Sequence, residues 1–173
     1  LLFTATGAIA APTPNQMPGA GVVTNCSVAL CTNFGGVGSP ITGLVSGVPI
    51  GIDGKAVIQW GGAGSPVDLT NPAGFNIGSS GHLIFSAISP NSAVLNIDAS
   101  GSASQIFGLL ESSVPPGSSA PAIFVANANG IVLGAGGRIV APTGVGLIGA
   151  NLNNATAKND FIGNNSTGVS HID

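Results

Sequence analysis

Charge is what this sequence has least of. Lys55, Arg138 and Lys158 face Asp53, Asp68, Asp98, Glu111, Asp160 and Asp173, so only 5% of the 173 residues carry charge, against about 25% in an average soluble domain. Three basic residues and a net charge of −3 cannot neutralise a row of phosphates, which excludes nucleic acid and anionic lipid as electrostatic partners. The same scarcity argues against an enzyme, because proton transfer and charge stabilisation draw on clusters of His, Asp, Glu, Lys and Arg. Long apolar runs are missing too. None approaches the roughly 20 residues of a spanning helix, so no helical membrane span is expected.

Nucleophile elbows of the Gly-x-Ser-x-Gly kind are absent, and His82 and His171 lie far apart with no paired metal-ligand spacing around them. The carboxylates Asp53, Asp98 and Asp160 do not repeat in a calcium-loop pattern. Gly35-Gly36-Val37-Gly38 and Gly134-Ala135-Gly136-Gly137 lack both the following helix and the lysine of a nucleotide loop, and read as turns. Trp60 and the seven phenylalanines fit core packing better than a sugar platform. No catalytic residue, cofactor or metal is assigned. Cysteine is limited to Cys26 and Cys31. Their spacing suits a small loop closed by one disulfide in an oxidising compartment; two buried free thiols are the alternative.

Glycine and proline, at 28 and 12 residues, divide the chain into short β-prone runs. Candidate strands are Gly21–Thr24, Ala56–Trp60, His82–Phe85, Ala93–Ile97, Ala122–Val125, Ile131–Leu133 and Gly137–Val140. Helices have almost no place among them. Asn129-Gly130 marks a tight turn, and Asn127 and Asn129 are expected to serve the architecture by bonding neighbouring backbone, with Gly130 completing the turn. Asn25-Cys26-Ser27, Asn154-Ala155-Thr156, Asn164-Asn165-Ser166 and Asn165-Ser166-Thr167 match the glycosylation acceptor pattern and are expected to be mostly unmodified.

The length fits one domain, taken as residues 16–173 behind an apolar segment, residues 1–15. Within that segment Ala8-Ile9-Ala10 looks like a signal-cleavage pattern, yet the positive start of a signal is lacking. Leu1, Leu2, Phe3 and Ile9 are therefore expected to form a strand on the protein's own sheet or, preferentially, on the open sheet edge of a neighbouring copy. Short runs with small residues at the corners fit either a sandwich or a coiled stack of rungs, and the second half of the chain favours the stack.

Several segments occur in the order of a known family. Ala56-Val57-Ile58-Gln59-Trp60, Gly74-Phe75-Asn76-Ile77-Gly78, Ala93-Val94-Leu95-Asn96, Ser104-Gln105-Ile106-Phe107-Gly108 and Ile123 to Gly134, continuing to Gly146-Leu147-Ile148-Gly149-Ala150, resemble the N-terminal domain of filamentous haemagglutinin-like exoproteins of two-partner secretion. The resemblance spans residues 50–165. It implies an all-β, right-handed parallel β-helix (solenoid) with some antiparallel extra-helical strands. It further implies a Gram-negative origin, a secreted or cell-surface location and export through an outer-membrane barrel transporter. The chain departs from the family at Ala128, where proline is usual, in the inserted residues 61–73, in its cysteines, and in lacking the repetitive adhesive shaft. Two functions follow as expectations. The first is a self-assembling subunit of a surface fibre or biofilm-matrix filament with an adhesive role, joined to other copies of itself by β-edge addition. The second is the secretion domain of a larger adhesin or haemolysin.

Overall fold

A computed structural model describes residues 10–27, 36–88, 90–114 and 120–163. Twelve strands are present: β1 (Gly21–Cys26), β2 (Pro40–Ile41), β3 (Pro49–Ile52), β4 (Lys55–Trp60), β5 (His82–Ala87), β6 (Ala93–Asp98), β7 (Ser104–Ile106), β8 (Leu109–Ser113), β9 (Ala122–Ala126), β10 (Ile131–Leu133), β11 (Arg138–Val140) and β12 (Val145–Ile148). One helix, α1 (Ala155–Ile162), follows them. The strands divide into a six-stranded sheet ordered β12-β9-β6-β4-β1-β2, a four-stranded sheet ordered β11-β8-β5-β3, and a two-stranded sheet of β10 and β7.

All pairings are parallel except those of β1, which runs antiparallel to both β4 and β2. From β7 onward the chain visits the two-, four- and six-stranded sheets in turn, twice. Parallel neighbours cannot be joined by a tight hairpin, and the intervening strands serve as their crossover.

Burial follows from this layout. Val23, Ile58, Trp60, Phe85, Leu110 and Ile123 point into one central core. The opposite face of the six-stranded sheet is covered by α1, whose Phe161 and Ile162 pack with Val57, Leu95, Ile97 and Ala126. β6 is consequently buried at every position, and its sequence is nearly continuous in apolar residues, as strands covered on both faces are. α1 starts at Asn154, whose side chain accepts from the Ala157 amide, and stops at Gly163 in the left-handed conformation. That pair of caps is sufficient to set both ends of a short helix.

The expectation of an all-β, right-handed parallel β-helix is corrected here. The strands form three separate sheets, the largest closing on an antiparallel edge, and a helix completes the described chain; the architecture is mixed. The local reason is plain at residues 155–162. Ala155, Ala157 and Lys158 favour helix, and the flanking Asn154 and Gly163 supply end signals that glycine-counting across the whole chain does not register.

Residues 13–20 lie along one end of the sheets. The Gly78 amide donates to the Gln16 carbonyl, the Ser80 amide to the Pro14 carbonyl, and the Gly19 amide to the Gly74 carbonyl; Gln16, Met17 and Ala20 are buried. This end is capped for the six-stranded sheet by β1 and β2 as well.

Candidate strand-edge interface

At the other end nothing comparable occurs among the described residues. β10, β11 and β12 are each the last strand of their sheet, so each presents one row of backbone donors and acceptors outward. Val132, Leu133, Val140, Val145 and Leu147 are exposed on them, while Ile131 and Ile139 pack back on the core. Helix α1 packs on the face of the six-stranded sheet, against β1 and β4 and through Phe161 on Phe124 of β9, and leaves β12 as the terminal strand of that sheet. Arg138 is the one charged residue of the three strands.

Close layering beneath these strands depends on glycine. A Cβ on Gly146 would stand 2.5 Å from the Phe124 ring, and one on Gly137 would stand 2.2 Å from the Ile106 carbonyl oxygen. A larger residue at 146 would have to displace the Phe124 ring for β12 to keep its place against β9. The layers are also tied by a polar chain at one corner. Asn127 is 1% exposed and its Nδ2 donates to the Ser104 hydroxyl at 2.9 Å and to the Ser102 carbonyl at 2.8 Å. The Ser104 hydroxyl donates to Asp98 Oδ2 at 2.6 Å, and the same oxygen accepts from the Phe75 amide at 2.9 Å. Asp98 Oδ1 and Asn127 Oδ1 each accept from the amide two residues on, those of Ser100 and Asn129. The corner thus ties successive layers through hydrogen bonds among the buried side chains of Asp98, Ser104 and Asn127.

Asn127, Asn129 and Gly130 fall together in the turn before β10, but they differ in kind: Asn127 is buried and bonded across layers, Asn129 is exposed, and Gly130 has a φ of 93°. Cys26 ends β1 and is disulfide-bonded; Cys31, its expected partner, lies outside the described residues. Leu1, Leu2, Phe3 and Ile9, the expected intersubunit strand, lie outside them as well, as do His171 and Asp173. His82 is brought to Glu111, with Nε2 at 2.6 Å from the carboxylate, across β5 and β8. Among the described residues no three His, Cys, Asp or Glu side chains converge as a metal site, and no helix is long and apolar enough to cross a membrane.

A second region, at the capped end, was not anticipated from sequence. The inserted residues 61–73 fold over Ala20 and Met17 through the Ser65 hydroxyl on the Ala20 carbonyl and the Asn71 side chain on the Met17 amide. Asp68 locks this loop and ties it to the β2–β3 connection, accepting from Thr70, Asn71 and Gly43. Burial pushes its carboxyl up, but the bonds from the Thr70 hydroxyl and the Thr70, Gly43 and Asn71 amides outweigh it and bring the pKa down to about 2. The result is a loop held in one shape that displays Leu69, 96% exposed, and Val67, 80% exposed. The signal in sequence is the Asp68-Leu69-Thr70 turn, with apolar Val67 before it and Leu69 within it, set between Pro66 and Pro72.

No family model matches the chain, and no curated protein or solved structure matches it.

Proposed function

We propose that this chain is an extracytoplasmic structural module whose copies join end to end, the subunit of a fibre or matrix filament. The observation that carries the reading is the β10–β12 end, where three sheets stop together on free edges bearing exposed Val132, Leu133, Val140, Val145 and Leu147. Unpaired strand edges are templates for another chain, and contiguous exposed apolar side chains mark an association surface. The low charge leaves little electrostatic repulsion against such contact. A disulfide-bonded Cys26 supports an oxidising compartment. The motif resemblance to filamentous haemagglutinin-like exoproteins supports the same location and a bacterial outer-membrane export route.

Negative-stain electron microscopy and light scattering of the purified, untagged protein test this. Regular filaments are expected as concentration rises; monomers across the whole range would overturn the reading.

One observation favours the second function, the secretion domain of a larger exoprotein recognised by a barrel transporter. The antiparallel β1 and β2 close the six-stranded sheet at one end only, which leaves a stack that further strands of one chain extend in a single direction. In that case the isolated protein stays monomeric and binds the barrel transporter.

A further inference from the structure

The capped end is not featureless. Between β2 and β3 runs a groove of about 410 Å³ walled by Ile41, Leu44, Val45, Val48 and Ile50, and β3 is the terminal strand of the four-stranded sheet, hydrogen-bonded on one side to β5. Val45 and Val48 are exposed on its rim, and the Asp68 to Gly43 bond brings the Val67–Leu69 loop to the same region. The exposed large apolar residues of the described chain therefore gather mainly at its two ends.

We propose that this groove is the receptor for the β10–β12 end of a second copy, so that copies join head to tail. The inference rests on the end-to-end reading and adds to it the opposite face. Three features make the two ends complementary. Both are apolar, and each alone would expose a patch that water disfavours. The four-stranded sheet is parallel throughout, from β11 to β3, so it can run from copy to copy without reversing strand direction. The charges are also opposite in sign: Arg138 begins β11, at the level where the chain enters β3, and Asp68, ionised with its depressed pKa, is bonded to the Gly43 amide beside the groove. Since the two surfaces differ, the contact is heterologous and does not close on itself as a two-fold dimer does; repeated, it gives a polar filament.

Paired end variants test the assignment. V48D/L69D places charge on exposed positions of the groove, and V145D/L147D does so on the open end. Both should retain the melting curve of the unaltered protein, each alone should fail to form filaments, and an equimolar mixture should give a particle of two-chain mass, since one intact surface of each kind remains. Loss of filaments with V145D/L147D but normal association of V48D/L69D would overturn the head-to-tail assignment while leaving end-to-end joining intact. So would a mixture that stays monomeric. An unaltered protein that never associates would instead overturn the underlying reading, and this one with it.

Discussion

Replacing Asn127 with alanine separates its role from that of its neighbour Asn129. The side chain donates to the Ser104 hydroxyl and the Ser102 carbonyl and accepts from the Asn129 amide. It does so from a position with 1% exposure, so water cannot take its place without opening the corner. At about 1 kcal/mol net for each bond, the loss is about 3 kcal/mol. For a chain of this size that corresponds to a fall in Tm of roughly 6–12 °C. The effect also reaches Asp98, because Ser104 loses the donor that orients its hydroxyl towards that carboxylate. Asn129→Ala is the control. Its side chain is exposed and the bond it takes part in uses the backbone amide, so the change should stay within about 0.5 kcal/mol. Thermal melts followed by far-ultraviolet circular dichroism, with urea titrations for ΔG, give both numbers. Equal melting curves for the two variants would refute the layer-tying role of Asn127.

Three further outcomes follow from single contacts. Gly146→Val should separate β12 from β9, because its side chain would occupy the space of the Phe124 ring; we expect a cost of about 1–3 kcal/mol from overpacking, read in a urea melt. Phe161→Ala removes the edge-to-face contact with Phe124 at 5.6 Å and the cation contact with Lys55; a loss of about 3–5 kcal/mol and rapid amide exchange throughout α1 are expected. Asp68 has a folded-state pKa of about 2 against an ordinary 3.8. Its contribution is therefore present above about pH 4 and is lost as pH falls towards 2. Asp68→Asn should flatten the stability profile over that window alone.

Much of the strand pattern was legible because β-branched residues stand between glycine and asparagine breaks. Gly21–Thr24, Ala56–Trp60, His82–Phe85, Ala93–Ile97, Ala122–Val125 and Ile131–Leu133 all lie within strands, and Gly137–Val140 overlaps β11. β2, β3, β7, β8 and β12 escaped notice for identifiable reasons. Pro40 and Pro49 begin two of them, Ser104-Gln105 looks like a turn, Glu111-Ser112-Ser113 is polar although Ser112 is buried, its hydroxyl donating to the Pro121 carbonyl, and Gly146 interrupts the last. The helix was hidden by overall composition. Sheet assignment depends on which strands meet after long separations, and no local pattern carries that information. The same holds for the interface. Val140 and Leu147 read as ordinary core residues in sequence; only their place on terminal strands makes them exposed. Asn127 and Asn129 read as equals, and burial alone distinguishes them.

Hydrogen exchange measured residue by residue, at low and high protein concentration, bears most directly on the central claim that copies join through the terminal strands. The account predicts that amides of β10, β11 and β12 exchange quickly in the monomer and become protected on association, together with those around β3. Association with unchanged exchange at β10–β12, or with protection confined to another face, would contradict it.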